Sequence, residues 1–369
     1  SLYDESNVNA SYRPGAARGA MVWRSTRLQT ARAQSGSLYG IRMVRRRGKP
    51  ATLPASRIGS PGRTRLTTLL ITHPAGLSHA MPAGHPECAE RLRAVEQALE
   101  AERFATLIRV DAPLGTIDQV ALCHDRDYAQ ALIASSPATD IVQINADTLM
   151  SPGTVEAALR GVGGAVHAVD EVFGGTARNA FVAMRPPGHH AERARAMGFC
   201  FFNHAAVAAR HAQAAHGAKR VAIVDWDVHH GNGTQDIFWN DDSVLYASTH
   251  EMPLYPGTGA ASEQGEHGTI VNVPLDPGTG SDEFREAFDI AILPRIADFR
   301  PDLIIISAGF DAHWRDPLAS LNLREADFAW ATRMLMELAD THAAGRVVSI
   351  LEGGYDLDAL AKSSAAHVA

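Results

Sequence analysis

Residues 220–233 read RVAIVDWDVHHGNG, an apolar run that ends in a dense cluster of polar residues. The run itself, residues 220–225, predicts a central strand of a parallel sheet, because such strands are covered on both faces and lack polar alternation. Asp227 and His229 follow two positions apart, so their side chains can project to the same side. Oxygen and nitrogen ligands together suit a divalent metal, with a salt-bridge cluster at a strand end as the alternative. Because unpaired buried charges cost several kcal/mol each, we do not expect this polar segment inside a core.

Apolar runs that end in polar residues recur at residues 180–184, 303–307 and 347–351. The side chains that follow them include the tandem pair His189 and His190, then Asp311, then Tyr355. In open α/β sheets, binding sites form where loops leave the carboxyl ends of the strands. We therefore expect these side chains to meet at one edge of the sheet.

Each of these side chains has a chemical role and a simpler alternative. Asp311 would complete a set of three protein ligands with Asp227 and His229, which leaves room for water and substrate; by itself it would be a helix N-cap. Tandem histidines can move protons near neutral pH, but they also occur in surface loops or second metal sites. The phenol of Tyr355 can donate to a developing oxyanion, although Gly-Gly-Tyr alone is only a turn. Together they indicate metal-assisted hydrolysis of a carbonyl compound.

The alternation of strands and helices predicts the fold class. Further strands are expected at residues 66–72 and 244–248. The helical patterns cover residues 86–102, 125–135, 154–173, 203–216, 282–299 and 324–342. This order predicts an α/β fold with a largely parallel sheet, and the absence of a linker or repeat predicts one domain over residues 66–369.

Composition excludes several other classes of protein. The 369 residues are 46% hydrophobic and 20% charged, which is ordinary for a globular chain. No uninterrupted apolar stretch reaches the roughly 20 residues of a membrane span. The three cysteines, Cys88, Cys123 and Cys200, have unrelated spacings, so neither a disulfide scaffold nor a CxxC zinc module is expected, and a reducing, cytoplasmic location fits.

Residues 1–65 form a leader that differs from the rest of the chain. They hold twelve Arg and one Lys against two acidic residues, a net charge of +11, whereas the remainder carries −18 and all seventeen histidines. We expect this segment to be a disordered extension or translated sequence upstream of the true start. An organelle transit peptide is the second interpretation and a nucleic-acid-binding arm the third.

In its motifs the chain resembles the histone deacetylase superfamily, which includes bacterial histone-deacetylase-like amidohydrolases and acetylpolyamine amidohydrolases. The resemblance runs from about residue 66 to the end. It is carried by RPPGHHAE at 185–192, MGFCFFN at 197–203, residues 225–233, YPGTG at 255–259, SAGFDAH at 307–313 and EGGY at 352–355. Asn232, where some members have Asp, resembles the class II-like branch. The resemblance implies the arginase/deacetylase fold, a central and mostly parallel sheet flanked by helices.

The resemblance also implies a mechanism. Zinc would be bound by Asp227, His229 and Asp311, although such a site also accepts iron(II) or cobalt. The acid–base pair would be His189 and His190, the first supported by Asp225 and the second by Asn232. Zinc and Tyr355 would polarise the acyl carbonyl while His190 deprotonates the attacking water, and a histidine would return a proton to the leaving amine.

Further positions follow from the resemblance alone. The narrow substrate tunnel would be lined by Phe199, Tyr255, Gly198, Gly353 and Leu318. A structural potassium ion would be held by Asp225, Asp227, His229, Ser248 and Thr249, and a second monovalent ion by the carbonyl of Phe238.

The expected substrate is an acylated lysine in a protein or peptide. Leu318 occupies a place where polyamine-selective relatives have an acidic residue, and this argues against strict specificity for polyamines. An acetylpolyamine amidohydrolase is therefore kept only as the alternative. Glu192 and Glu251 are interpreted as solvated charges near the mouth, with attraction of cationic substrates as the other interpretation. We expect a homo-oligomer, with neither a membrane nor a nucleic acid as partner.

Several histidines remain outside these motifs. We expect rim or oligomer-contact positions, with a second ligand set as the alternative, for His73, His79, His85 and Asp147. Ordinary surface or hydrogen-bonded positions are expected for His204, His211 and His216. The chain stops inside the helix after residues 352–355, where relatives continue, so a truncated C-terminal end is expected.

Two other functions compete with deacylation. Arginase-type hydrolysis of a guanidine needs two manganese ions and more carboxylates, but Asn232 stands where one would be needed and Tyr355 would have no role. A catalytically inactive module that binds acyl groups or partners would be favoured by a missing ligand, and none is missing.

Overall fold

A computed structural model of the chain describes residues 68–369. The leader and the predicted domain boundary at residue 65 lie outside the described residues. The strands are β1 Thr68–Thr72, β2 Ile108–Asp111, β3 Val142–Gln143, β4 Leu149–Met150, β5 Asn179–Val182, β6 Val221–Asp225, β7 Val244–Glu251, β8 Ile270–Leu275, β9 Leu303–Ala308 and β10 Val347–Leu351. The helices are α1 Ala75–Ser78, α2 Ala89–Ala98, α3 Ile117–Val120, α4 Arg126–Ala134, α5 Thr154–Gly174, α6 His204–His216, α7 Asn232–Phe238, α8 Ser281–Ala287, α9 Leu293–Phe299, α10 Glu325–His342 and α11 Leu357–Val368.

Within the described residues, eight strands form one sheet in the order β2-β1-β5-β10-β9-β6-β7-β8. Every neighbouring pair is parallel. The four apolar runs that the sequence singled out, β5, β10, β9 and β6, are consecutive in the centre of this sheet. Their carboxyl ends therefore open at one edge, and the predicted α/β fold is confirmed.

The sheet has a hydrophobic core on each face. Ile305 of β9 packs into one core, and its neighbours Ile304 and Ile306 pack into the other, as the alternation of side chains along a strand requires. Helices α5 and α6 cover the first face, while α2, α10 and α11 cover the second. Coverage on both faces explains why the central strands contain almost no polar residues.

The helix predicted over residues 282–299 is present, but it is not one regular α-helix. The segment consists of α8 and α9 separated by a π-helical turn at Phe288–Ile292. Pro294 lies in the first turn of α9 and has no N–H to donate, so a regular α-helix cannot run through it with its ladder intact.

The sequence analysis did not identify β2 and β8, the two edge strands. Residues of β2 are largely exposed, so the strand has no continuous apolar run to reveal it. Strand β8 alternates buried and partly exposed residues and includes Pro274, which an edge strand tolerates because one side of it needs no ladder hydrogen bonds.

A buried ionic cluster fixes the segment before α2 to the sheet. The carboxylate of Glu87 accepts hydrogen bonds from Arg185, at 2.6 and 2.5 Å, and from Arg91, at 3.0 Å. His79 Nε2 lies 3.3 Å from the same carboxylate, and His79 Nδ1 is 2.7 Å from the Thr154 hydroxyl. All of these side chains except Thr154 carry or can carry charge, and all are buried. His79 is therefore a core residue, and its predicted position at the rim is wrong.

Replacing Glu87 with Gln should destabilise the fold and weaken its dependence on pH. Burial raises the pKa of Glu87, but Arg185, His79 and Arg91 outweigh burial and hold it well below the ordinary value. A depressed carboxyl pKa contributes stability above the unfolded value of about 4.3, and that stability is lost as the pH falls below it. We expect Glu87→Gln to cost about 3–5 kcal/mol near neutral pH, measured by urea unfolding, and to lose less stability than the wild type on acidification. The exposed Glu100→Gln is the control; equal losses in both variants would contradict a special role for Glu87.

Candidate active site

Three side chains from two strand ends converge in the centre of the open edge. Asp227 and His229 lie in the loop after β6, and Asp311 lies in the loop after the neighbouring β9. His229 Nδ1 is 3.1 Å from Asp227 Oδ1 and 3.1 Å from Asp311 Oδ2. One ligand atom from each residue lies within 4.8 Å of the others, so the predicted metal-ligand residues are brought together.

Backbone N–H groups hold the other oxygen of each carboxylate. The N–H of Gly353 donates to Asp227 Oδ2 at 2.8 Å, and the N–H of Val228 donates to Asp311 Oδ1 at 2.8 Å. Each carboxylate thus has one oxygen fixed by the protein and one directed at the cluster. Two such oxygens and one imidazole nitrogen form a donor set that fits a tetrahedral or five-coordinate divalent ion.

Glycine is required where two loops press against these carboxylates. A Cβ atom on Gly353 would overlap Asp311 Oδ2, and one on Gly309 would overlap Asp227 Oδ2. The sequence motifs therefore have glycine at these positions for a steric reason. Gly353, which was predicted to line the substrate tunnel, lies against the carboxylates of Asp227 and Asp311.

The pKa shifts of Asp311 and His229 reflect the negative charge of two neighbouring buried carboxylates. Burial raises the pKa of Asp311 to about 6, and the neighbouring Asp227 carboxylate adds to this shift. Burial lowers the pKa of His229, but Asp227 and Asp311 outweigh it and raise the value to about 10. Two buried carboxylates so close together attract positive charge strongly, which a divalent cation would supply.

His189 is paired with a carboxylate. Its Nδ1 lies 3.0 Å from Asp225 Oδ2, which also accepts from the Tyr246 hydroxyl at 3.1 Å, and its Nε2 lies 3.8 Å from Asp227 Oδ1. Burial lowers the pKa of His189, but Asp227 and Asp225 outweigh it and raise the value to about 10. This imidazole is stabilised in its charged form.

His190 has the opposite environment. Its Nδ1 lies 2.8 Å from Asn232 Oδ1, and the Asn232 Nδ2 donates to the Glu192 carboxylate at 2.8 Å. Because a carboxylate only accepts, Glu192 fixes the amide orientation, so His190 carries its proton on Nδ1 and a lone pair on Nε2. Burial, with the charges of His189 and His229, lowers the pKa of His190 well below its ordinary value. The two imidazole rings are 4.0 Å apart between centroids and differ sharply in basicity.

Glu352 positions the tandem histidines through their backbone. Its Oε2 accepts from the N–H of Gly188 at 2.7 Å and from that of His189 at 3.1 Å, and its Oε1 accepts from the Ser307 hydroxyl at 3.1 Å. Burial raises the pKa of Glu352 to about 7. The sequence analysis placed Glu352 in a motif but gave it no role.

Arg91 supports the loop that carries Tyr355, and sequence analysis missed it. Its guanidinium donates to the carbonyls of Gly354 and Glu352, both at 2.6 Å, and lies 4.9 Å from the centroid of the Tyr355 ring. Burial raises the pKa of Tyr355 well above its ordinary value, although Arg91 opposes this, so the phenol keeps its proton. The spacing of Glu87 and Arg91 is that of an ordinary exposed helical ion pair, which concealed their role.

Aromatic rings lie beside the tandem histidines and Tyr355. The Phe199 ring lies 6.2 Å from Tyr355 and 4.9 Å from His85, and the Tyr255 ring lies 5.1 Å from His190. The neighbouring Gly198 has a φ of +57°, and a Cβ atom there would overlap the His190 ring. Tyr255 and Gly198 therefore lie against His190, and Phe199 lies between His85 and Tyr355.

Asp147 belongs to the same rim. Its carboxylate accepts a hydrogen bond from the N–H of Gly198 at 3.0 Å and also interacts with Tyr255. Burial is the main cause that raises the pKa of Tyr255, and Asp147 adds to the shift.

Leu318 is half-buried, and its N–H donates at 3.0 Å to one carboxylate oxygen of Asp316. The other oxygen of Asp316 accepts from the N–H of Tyr355 at 2.7 Å. The Leu318 loop is thus tied to the Tyr355 loop.

Three of the residues predicted to bind potassium lie outside the cluster, namely Ser248 and Thr249 on β7 and Phe238 on α7. Ser248 pairs with Asp225 across β6 and β7, and Thr249 follows it; both are buried. Phe238 is the last residue of α7, and its carbonyl accepts from the N–H of Asp241 at 3.1 Å.

Two expectations about polar residues are wrong. The segment that follows β6 is buried throughout residues 226–233, because its charges are paired with residues from other loops, which a local analysis cannot see. Glu251 is not a solvated charge, because it is buried and accepts from the N–H of Ser320 at 2.7 Å, whereas Glu192 is half-buried and accepts from Asn232 and Arg195.

Of the remaining histidines, His204 lies in the core, and His211 and His216 are hydrogen-bonded, which is one of the two positions expected for them. His204 is buried, and a Cβ atom on Gly161 would overlap its ring. His211 and His216 both bind Asp170, at 2.7 Å each. His73 is half-buried, and its Nδ1 accepts from the N–H of Ala75 at 3.0 Å.

A parallel α/β sheet carries a buried Asp–His–Asp cluster at its carboxyl edge, beside two histidines and a tyrosine, which is an arrangement suited to a hydrolase. Comparison with known proteins identifies a single family. The chain matches the histone deacetylase domain over residues 85–369. It is 40% identical over 278 residues to a histone deacetylase-like amidohydrolase of Pseudomonas aeruginosa, which covers 74% of this chain and 73% of the relative. It is 37% identical over 317 residues to histone deacetylase 14, chloroplastic, of Arabidopsis thaliana, covering 80% and 75%.

A solved structure supports the same assignment. The crystal structure of the HDA15 HD domain superposes with a TM-score of 0.78 at 38% sequence identity, covering 82% of this chain and 87% of that one. The chain therefore belongs to the histone deacetylase family, as its motifs predicted. Members of this family act on acylated substrates, and the relatives are named as deacetylases and amidohydrolases. Among residues 68–369, no helix has the length and apolar character to cross a bilayer.

Replacing Gly353 with Ala should disrupt the cluster of Asp227, His229 and Asp311, the predicted metal ligands, while the fold survives. The added Cβ would overlap Asp311 Oδ2 and crowd Asp227, so both carboxylates must shift. We expect metal affinity to fall about 10- to 100-fold, measured by dialysis against a chelator series followed by elemental analysis. Gly174→Ala, where nothing crowded surrounds the new methyl group, is the control and should bind metal normally. Unchanged affinity in Gly353→Ala would show that the carboxylates are not held in the described positions.

Proposed function

We propose that this protein is a zinc-dependent deacylase that removes acetyl or other acyl groups from lysine side chains or related amines. The observation that carries the proposal is the convergence of Asp227 Oδ1, His229 Nδ1 and Asp311 Oδ2 beside two histidines of opposite electrostatic character. Zinc bound by these three residues would polarise the acyl carbonyl and lower the pKa of water. Iron(II) and cobalt suit the same donor set.

His190 is proposed as the general base. Its Nε2 lone pair is available because Nδ1 carries the proton toward Asn232. A lowered pKa keeps the imidazole neutral, so it can accept a proton from the attacking water at neutral pH.

His189 is proposed as the charged partner. Its raised pKa keeps a proton on the ring, and Asp225 holds that ring in place. Pairs of titratable groups whose environments push their pKa values apart commonly divide into a base and an acid. A proton can then reach the leaving amine from one of these imidazoles, which yields a free amine and a carboxylate.

Tyr355 is proposed as the donor to the developing oxyanion. Its phenol stays protonated, and Arg91 fixes its loop through two backbone carbonyls. A positioned donor of this kind stabilises the transition state more than the ground state.

The substrate is proposed to be an acylated lysine in a protein or peptide. Phe199 and Tyr255 offer flat apolar walls that suit an extended alkyl chain. Leu318, on the loop joined to Tyr355 by Asp316, offers no charge for the second ammonium of a polyamine. An acetylpolyamine substrate is the alternative. Potassium at the predicted positions, a homo-oligomer and a cytoplasmic location stay predictions.

Replacing Tyr355 with Phe tests the proposal directly. Loss of the donor should lower kcat on an acetyl-lysine peptide by about 10²–10³-fold, with zinc content unchanged, because the phenol is not a ligand. Acetylspermidine is assayed in parallel to distinguish the two substrate classes. Tyr128→Phe, which removes only a hydrogen bond to the Phe201 carbonyl, is the control and should keep normal turnover. Near-normal turnover of Tyr355→Phe would refute its role.

Replacing Asn232 with Asp tests the base. A carboxylate against Nδ1 raises the pKa of His190, so the ring stays protonated up to a higher pH. We expect the acidic limb of the kcat/KM profile to move up by about one pH unit or more. Asn322→Asp, at an exposed position, should leave the profile unchanged. An unmoved limb in Asn232→Asp would mean that another group accepts the proton.

A further inference from the structure

A second group of one carboxylate and two imidazoles lies where α5 packs against α6. Asp170 comes from α5, and His211 and His216 come from α6. Between residues 68 and 369, two groups of three or more His, Cys, Asp or Glu residues bring one ligand atom each to within 4.8 Å of the others, and this is one of them. The other is the active-site cluster.

The two imidazoles aim the same atom at the same oxygen. His211 Nε2 and His216 Nε2 each lie 2.7 Å from Asp170 Oδ1, and the two rings are 5.7 Å apart between centroids at 78°. The bonds reach across 41 and 46 positions of sequence, so the convergence is produced by the packing of the two helices. Two nitrogens and an oxygen already face one small volume.

Neighbouring side chains hold this arrangement in place. The His216 ring stacks on Phe173, with centroids 4.8 Å apart and planes at 16°, and the Arg346 guanidinium lies 4.5 Å from the centroid of the Phe173 ring. Burial raises the pKa of Asp170, but His211 and His216 outweigh it and lower the value, so the carboxylate is ionised at neutral pH. A fixed imidazole and an ionised carboxylate reduce the entropy lost on binding an ion.

The group is accessible to an ion from solvent. The side chains of His211, His216 and Asp170 are 15%, 25% and 45% exposed. His216 is also the last residue of α6, and the partial negative charge at the C-terminal end of a helix favours a cation.

We propose that Asp170, His211 and His216 form a surface site for a divalent transition metal, with Zn²⁺ as the best match. Two imidazoles and one carboxylate suit zinc, copper and nickel, and water can complete a tetrahedron. An imidazole that carries its proton on Nδ1 presents the Nε2 lone pair to an ion, and Nε2 is the atom that both histidines direct at Asp170.

The role of this site is structural. Helix α6 ends at His216 and leads into the amino end of β6, whereas the catalytic loop leaves the carboxyl end of that strand. The metal would therefore lie at the opposite end of the sheet from the active site, where it joins α5 to α6.

The test compares zinc binding by three forms of the zinc-loaded enzyme: wild type, the double variant His211→Gln/His216→Gln, and His267→Gln. His267 is an exposed histidine between β7 and β8 and serves as the matched control. Competition with a chromophoric zinc indicator should show one more equivalent in wild type and His267→Gln than in the double variant. We expect an affinity on the order of 1 μM for that equivalent.

Two further measurements keep the outcome interpretable. Circular dichroism without added zinc establishes that the double variant is folded, and Asp170→Asn, which keeps the size of the side chain, should weaken the extra equivalent at least about tenfold. Added zinc should raise the melting temperature of wild type and not that of the double variant. Equal stoichiometry in wild type and double variant would overturn the proposal. Because the readout is a difference between variants, it does not depend on whether the catalytic assignment holds.

Discussion

Two backbone hydrogen bonds that link the loops after β6, β9 and β10 are the interactions on which the active site depends. The loop after β6 donates from Val228 to Asp311, and the loop after β10 donates from Gly353 to Asp227. Each carboxylate is therefore oriented by a strand end other than its own. Without these two N–H donors, a pair of buried carboxylates would repel each other and take up protons. With them, two oxygens are fixed toward His229 before any ion arrives.

The second organising feature is the opposite pKa shift of two adjacent histidines. His189 and His190 are neighbours in sequence and their rings almost touch, yet one faces carboxylates and the other an amide. Burial lowers the pKa of both rings, but Asp227 and Asp225 outweigh it for His189, whereas the charges of His189 and His229 add to it for His190. The tautomer of His190 depends on Asn232, whose side chain is fixed by Glu192.

Much of this could be predicted from the sequence because the central strands are apolar on both faces and end in recognisable polar motifs. The α/β fold, the location of the polar residues at strand ends and the grouping of Asp227, His229 and Asp311 followed from that pattern. The edge strand β2 could not be predicted, because most of its side chains are exposed and it lacks an apolar run. The burial of residues 226–233 was also beyond reach, because the compensating charges come from distant loops.

Other residues were hidden for related reasons. Glu87 and Arg91 have the four-residue spacing of a surface ion pair, and nothing local reveals that Arg185 and the Tyr355 loop enclose them. His211 and His216 looked like ordinary surface residues because Asp170, the residue that brings them together, belongs to another helix. In each case the missing information is a tertiary contact rather than a local preference.

The contact between Arg91 and Gly354 has a consequence for the order in which the protein folds. The two residues are 263 positions apart, so the contact closes one of the longest loops in the described chain. Such distant contacts are entropically expensive and tend to form late. The loop that carries Tyr355 would then become ordered after most of the sheet has assembled, so the proposed active site would be the last part of the fold to be completed.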